Sequence, residues 1–493
     1  MFDAPRARRW TGLLLVPLLG VLAWGLSRPP SDPAPQRRPR AKRTARPQPP
    51  KPVLVASAPP AAPAPVRRLR PAPSPRALRL HQLGEKLGTA PPRLDNPCVA
   101  PEPGADTGPE AAPCARTALE PFFESLDALM AARATGPTTI AAFGNSLIAG
   151  DRIVDVVREE LGATFGDAGR GVLLVDRLAP YGPRARSGHA QGEWEPRTLG
   201  EMQQAPLPFG LSGTYHQSVS ARARSRFTVE GERRGTLWWL DVPEGGALSV
   251  RTEGQVLAAT EPRGEGEARS LAFDIPKGTR SLEVVAEGKG AVVFGVVLQR
   301  AHPGLVLDTL GVPSSDANLF LRANEDIFRA QFAERAPRLL VFILGGNEAK
   351  RLEWGRSNLE EVEQGLRDFV RRARAAGPDA ACLVVGPIDA VRGGTGAQRF
   401  VQRPYLDEVI AVERRIALAE GCAFFDIFSA MGGEGSLARF VEAGLVHEDL
   451  VHPRGQGLDL LGQLITDALV TAWVEGADTP PRAAPPRTSE AVP

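Results

Sequence analysis

Acidic residues are nearly missing from the first 80 positions, which hold 2 of the 57 Asp and Glu but 16 of the 59 Lys and Arg. A basic arm therefore precedes a mildly acidic body, and such an arm suits anionic lipid, an anionic wall polymer or nucleic acid. The body has no basic stripe with interleaved aromatics, so nucleic acid is not an expected partner. Cysteine and histidine are scarce, at 4 and 6 residues. No Cys/His cluster has metal-ligand spacing, and neither a metal nor a cofactor is expected. Residues 166–171 (Gly-Asp-Ala-Gly-Arg-Gly) lack the Gly-Lys-Ser/Thr ending of a phosphate loop and do not join a strand to a helix start.

The N-terminal pattern points to export. A basic segment, residues 1–9 with Arg6, Arg8 and Arg9, precedes an uncharged run over 10–27 at the short edge of a membrane-spanning length. No small-x-small cleavage site follows it and no Cys is placed for lipidation. We therefore expect an uncleaved anchor to the cytoplasmic membrane, although Arg28, Arg37 and Arg38 just beyond the run blur the usual charge bias. Residues 28–80 are dominated by Pro, Ala and Arg, too poor in apolar content for a core, and read as a disordered tether. Residues 476–493 read as a similar tail.

Between these ends the hydrophobic period changes twice. Residues 116–134 and 151–161 carry apolar residues at helical spacing, with a β-like run at 138–143 between them. From 215 to 300 short β-branched and aromatic stretches alternate with Gly- and Pro-containing turns, the pattern of a sandwich. Strand-like runs at 337–344, 381–386 and 422–428 then alternate with helical patterns at 357–376, 404–420 and 455–475. The expected fold is α/β: a parallel sheet flanked by helices in three layers, built from 81–195 and 301–475 and interrupted by an all-β sandwich over 196–300. In that sandwich Trp238 and Trp239 could stack on sugars, but neighbours in a strand point to opposite faces and core packing is the better expectation. Cys98 and Cys114 could close their loop as a disulfide in an oxidising compartment, whereas Cys382 and Cys422, each opening an apolar run, read as buried thiols.

Four short motifs fall at loops beyond predicted strands or before the last helix: Gly144-Asn145-Ser146-Leu147, Thr309-Leu310-Gly311, Gly345-Gly346-Asn347-Glu348 and Asp449-Leu450-Val451-His452. A serine hydroxyl needs an adjacent base to become a nucleophile. His452 is suited to pass a proton near neutrality, and Asp449 to hold its tautomer. The amides of Ser146 and Gly311 and the side chain of Asn347 are the expected donors to a tetrahedral oxyanion. His447 is a nearby decoy.

Ser146, Gly311, Asn347 and His452 match in order the marker residues of the SGNH (GDSL-like) hydrolases, which this chain resembles. With the 166–171 run, residues 430–436 (Ala-Met-Gly-Gly-Glu-Gly-Ser) and the inserted module, it resembles the bacterial peptidoglycan O-acetylesterases in particular. The resemblance implies a serine esterase removing O-acetyl groups from peptidoglycan or another acetylated envelope polysaccharide in the periplasm, with the module helping to hold the polymer. Two neighbours depart from the pattern: Asn145 stands where Asp is usual before the nucleophile, and Leu147 where His or a small polar residue is frequent. Leu147 keeps a lipase-like esterase or an acetyltransferase open, and Asn145 a catalytically weak wall-binding protein.

Overall fold

The computed structural model describes residues 68–99, 116–178, 187–201, 205–394 and 399–476. The expected anchor over 10–27, Cys114 and the 477–493 tail lie outside them. The tether ends earlier than expected: Pro75–Leu87 is a helix, not linker. Ser74 Oγ caps it by accepting from the Ala77 amide, Pro75 fits its first turn, and Ala77 and Leu80 are buried.

One six-stranded sheet organises the α/β part. Its order is Leu94–Asp95, Ala423–Phe425, Ala381–Val385, Leu339–Ile343, Pro137–Gly144, Gly304–Gly311, parallel except at the first edge. The central strands are apolar on both faces, as a sheet covered by helices on both sides requires. On one face pack the helices Arg152–Phe165 and Gln456–Glu475. The latter is apolar and long enough to cross a membrane, yet it is mostly buried in this core. On the other face Phe143 stacks on Phe328, Phe332 and Phe342 and meets Phe320 and Phe369 edge-on. Phe143 lies three residues before Ser146, so this aromatic cluster fixes the strand that presents it. Truncating such a ring to alanine costs about 3–5 kcal/mol.

The β-module begins earlier than its sequence pattern suggested. Its two sheets take in His189–Gln191 and Trp194–Thr198, and Gly171–Leu173 pairs with Val292–Gln299. Charged and polar residues in these short strands hid their period. Both tryptophans are buried: Trp239 faces the sandwich core, while Trp238 points into the core of the α/β part and donates to Glu334 at 2.9 Å. One sheet of the module is thus packed against the α/β domain on a shared apolar core. The 166–171 run belongs to this joint. Arg170, buried, pairs with buried Glu232 at 2.6 Å, and Gly171, at φ +74°, leaves no room for a Cβ beside Asp308.

Cys382 and Cys422 are not free thiols. They form a disulfide with Cα atoms 4.6 Å apart, within the reach that disulfide geometry needs. Cys382 lies in the strand next to Ala423–Phe425, so parallel pairing brings the two side by side. An apolar run cannot distinguish a buried thiol from a buried bridge. The expected 422–428 strand is also shorter, because Asp426 caps the helix Ile427–Ala430 by accepting from the Ser429 amide.

Candidate active site

The carboxyl ends of the parallel strands carry the chemistry-bearing residues, where open α/β sheets place their sites. The strand Pro137–Gly144 ends in a sharp turn. Asn145 adopts an extended conformation and its Oδ1 caps the short helix Ser146–Ala149 by accepting from Leu147 N at 3.0 Å. Asn145 is buried, so its side chain serves the turn. Leu147 is partly buried and packs against the hydrophobic core. Below the turn Asp151, at φ +61°, and wholly buried Arg158 pair with each other, and both bond the Thr309 hydroxyl. This network ties the nucleophile turn to the edge strand Gly304–Gly311.

Ser146, His452 and Asp449 meet in one chain of hydrogen bonds. Ser146 Oγ lies 2.8 Å from His452 Nε2, and His452 Nδ1 lies 2.6 Å from Asp449 Oδ2. Asp449 Oδ1 also accepts from the amides of Val451 at 2.9 Å and His452 at 3.0 Å. Burial pushes the Asp449 carboxyl up, but the hydrogen bonds from the His452 ring and the two amides outweigh it and hold the group below the usual carboxylate value. A carboxylate at Nδ1 favours the tautomer with the proton there, leaving Nε2 to accept from the hydroxyl. His447 meets this chain through its backbone. Its amide donates to the His452 carbonyl at 2.9 Å, closing the turn with Leu450 at φ +56°.

Asn347 stands at the start of the helix Gly346–Glu353, beyond the adjacent strand Leu339–Ile343. Its Nδ2 donates to Ser315 O at 2.7 Å, which occupies one of two N–H bonds and leaves the other for a ligand. Gly311 behaves differently from the expectation. Val312 N donates to Gly144 O at 2.9 Å, and in a parallel ladder successive residues bond to opposite sides. The Gly311 N–H therefore points away from the strand that carries Ser146, a direction that does not serve the oxyanion role expected of it. Glycine is required there for packing, since a Cβ would sit 2.2 Å from Ala149 N.

The segment lying against Asn347 is 312–316, which the motif reading passed over. Ser314 has φ +62°, the region where glycine is usual, and the Ser315 hydroxyl bonds the carbonyls of Gly144 at 3.2 Å and Val312 at 2.7 Å. Glu348 joins this segment to the Asn347 turn: Oε1 accepts from Ala317 N at 3.1 Å and Oε2 from Gly345 N at 2.9 Å. Burial, then the nearby Asp316, pushes the Glu348 carboxyl up to about 7. Glu413 is also wholly buried, and burial, then the nearby Glu348, pushes its carboxyl well above the usual value. Its Oε2 has no hydrogen-bond partner, so its site favours the neutral, protonated carboxyl. The Glu after Asn347 was visible in the sequence, but its partner 65 positions later was not. Among the described residues no group of His, Cys, Asp and Glu could hold a metal ion.

Residues 278–460 match the GDSL-like Lipase/Acylhydrolase family. That span contains Asn347, Asp449 and His452 but not Ser146, because the β-module splits the hydrolase domain in sequence. The chain is similar in fold to a structure described as "Peptidoglycan O-acetylesterase in action", with TM-score 0.61 and 20% identity over 72% of this chain and 96% of that one. A lipase/acylhydrolase from Enterococcus faecalis matches at TM-score 0.27 and 18% identity over 36% and 80% of the two chains. The C-terminal carbohydrate-binding module of a Zobellia galactanivorans laminarinase matches at TM-score 0.17 and 10% identity over 22% and 100%. No curated protein matches by sequence.

Proposed function

We propose that this chain, an ester-hydrolysing enzyme with a GDSL-like lipase/acylhydrolase domain, removes O-acetyl groups from peptidoglycan or another acetylated envelope polysaccharide. The observation that carries the mechanism is the unbroken Ser146–His452–Asp449 chain at 2.8 and 2.6 Å. Ser146 Oγ attacks the acetyl carbonyl carbon as its proton passes to His452 Nε2. The charge that forms on the carbonyl oxygen is met by the Ser146 amide and the second N–H of Asn347. Collapse releases the sugar hydroxyl, which takes the proton from His452, and leaves an acetyl ester on Ser146. Water, deprotonated by His452, then releases acetate and restores the serine. Asp449 orients the ring and balances its charge at both stages.

Two features support a polymer outside the cytoplasm as substrate. The Cys382–Cys422 disulfide fits an oxidising compartment. The apolar run over 10–27 followed by a Pro/Ala/Arg-rich stretch fits an anchor and tether that hold the enzyme at the membrane surface. The module would help hold the polymer beside the site. Acetate release from O-acetylated peptidoglycan, compared with release from acetyl and longer-chain chromogenic esters, tests this reading. Preference for long acyl chains would replace it with a lipase-like esterase. Acetyl transfer to an added sugar in place of release to water would make the enzyme a transferase. Binding without turnover of any ester would leave a wall-binding protein.

A further inference from the structure

Trp354 is the exposed tryptophan among the described residues, at 51% of its full accessibility. Two cations lie over its ring: Lys350 Nζ is 4.8 Å and the Arg356 guanidinium carbon 4.9 Å from the ring centroid. The neighbouring arginines are paired with carboxylates, Arg351 with Asp316 and both Arg392 and Arg403 with Glu353. Lys350 and Arg356 have no carboxylate partner among the described residues. An indole face attracts cations without neutralising them, so Trp354 gathers two positive charges from positions six residues apart and leaves both open to an anion.

The patch stands on the active face. Asn347 lies in the first turn of the helix Gly346–Glu353, and Trp354 follows seven residues on. That spacing puts both on one side of the helix, about 10 Å apart along its axis. The far end of the helix stays above the carboxyl ends of the strands, because Glu353 is held by Arg392 and Arg403 from the segment that follows Ala381–Val385.

We propose that Lys350 and Arg356, ordered by Trp354, form a subsite for a carboxylate carried by the glycan a short distance from the acetylated sugar. The inference rests on the acetylesterase reading and deepens it: the substrate is an acidic polymer, held by its charge as well as by its acetyl group. Trp354 acts here as a scaffold for cations rather than as a sugar-stacking platform.

The test compares the native full chain with a Lys350→Ala/Arg356→Ala variant on three substrates. These are an O-acetylated polymer bearing carboxylates, the same polymer with its carboxylates converted to neutral amides, and a small neutral acetyl ester. For the native chain at low salt, kcat/KM should be about fivefold to tenfold higher on the acidic polymer than on its amide, and 0.5 M salt should erase the difference, as screening of exposed charges requires. The variant should lose the preference through a raised KM while kcat, and kcat/KM on the small ester, stay unchanged. Equal activity on the two polymers, or a variant with the native KM and salt response, would overturn the subsite. Co-sedimentation of the full-length Ser146→Ala chain with the insoluble acidic polymer, with and without the two cation substitutions, reads the subsite without turnover. Lack of native activity on every ester would instead overturn the acetylesterase reading, and co-sedimentation unaffected by the substitutions would overturn the subsite on its own.

Discussion

Asp449→Asn separates orientation from shape in the triad. The asparagine carbonyl can still accept from the amides of Val451 and His452, now at 2.9 and 3.0 Å, so the turn that carries the histidine should survive. Its amide group, however, would face Nδ1, where Asp449 Oδ2 now lies 2.6 Å away. A donor at that position drives the ring proton to Nε2, which then donates to Ser146 and cannot take its proton. The Asp449 side chain is 47% exposed, so water would solvate part of the imidazolium charge that the carboxylate now balances. We therefore expect kcat on an acetyl ester to fall by ~10²–10³-fold, or about 2.7–4 kcal/mol in the barrier. Folding stability should change by less than about 1 kcal/mol, as for other exposed ion pairs. Steady-state kinetics beside a urea unfolding curve reads both quantities. A variant that kept kcat within about threefold of the native value would refute the role given to Asp449.

Three further outcomes follow from the same geometry. Burial pushes His216 down to about 4 from 6.5, so the stability it permits is complete above pH 6.5 and lost as pH falls towards 4; the loss reaches about 3 kcal/mol, and His216→Phe should flatten that part of the urea-midpoint profile. Glu348 is raised to about 7 from 4.5, so its contribution is present below pH 4.5 and lost as pH rises through 7; Glu348→Gln should flatten the decline in melting temperature between pH 4.5 and 7 and lower kcat about tenfold at unchanged KM, because one backbone donor behind Asn347 loses its acceptor. Gly311→Ala places a methyl 2.2 Å from Ala149 N and should cost about 1–3 kcal/mol in thermal unfolding and reduce activity by shifting the nucleophile helix.

What was legible in the sequence follows from how local each signal is. The parallel strands are apolar on both faces and so stand out as runs, and the Ser146 and Asp449–His452 motifs sit where such strands or the last helix make loops. Features set by partners far along the chain were not legible. The strands at 189–198 have a pattern broken by polar residues and are defined by pairing with Arg224–Thr228 and Thr214–Ser218. Trp238 looked like a sandwich residue, and only docking against the hydrolase helices explains why both faces of its strand are covered. Cys382 and Cys422 become a bridge through strand adjacency, and the Glu348–Glu413 pair through helix packing. Gly311 shows the opposite failure: its identity was readable, but the direction of its N–H depends on the phase of a ladder that no motif records.

Acetate release from O-acetylated peptidoglycan by the native chain and by Ser146→Ala decides whether Ser146 is the nucleophile of an acetylesterase. We expect release by the native protein and a loss of at least ~10⁴-fold on removing the hydroxyl that lies 2.8 Å from His452, with the melting temperature preserved. Acetate release at the native rate by a folded Ser146→Ala protein would contradict it.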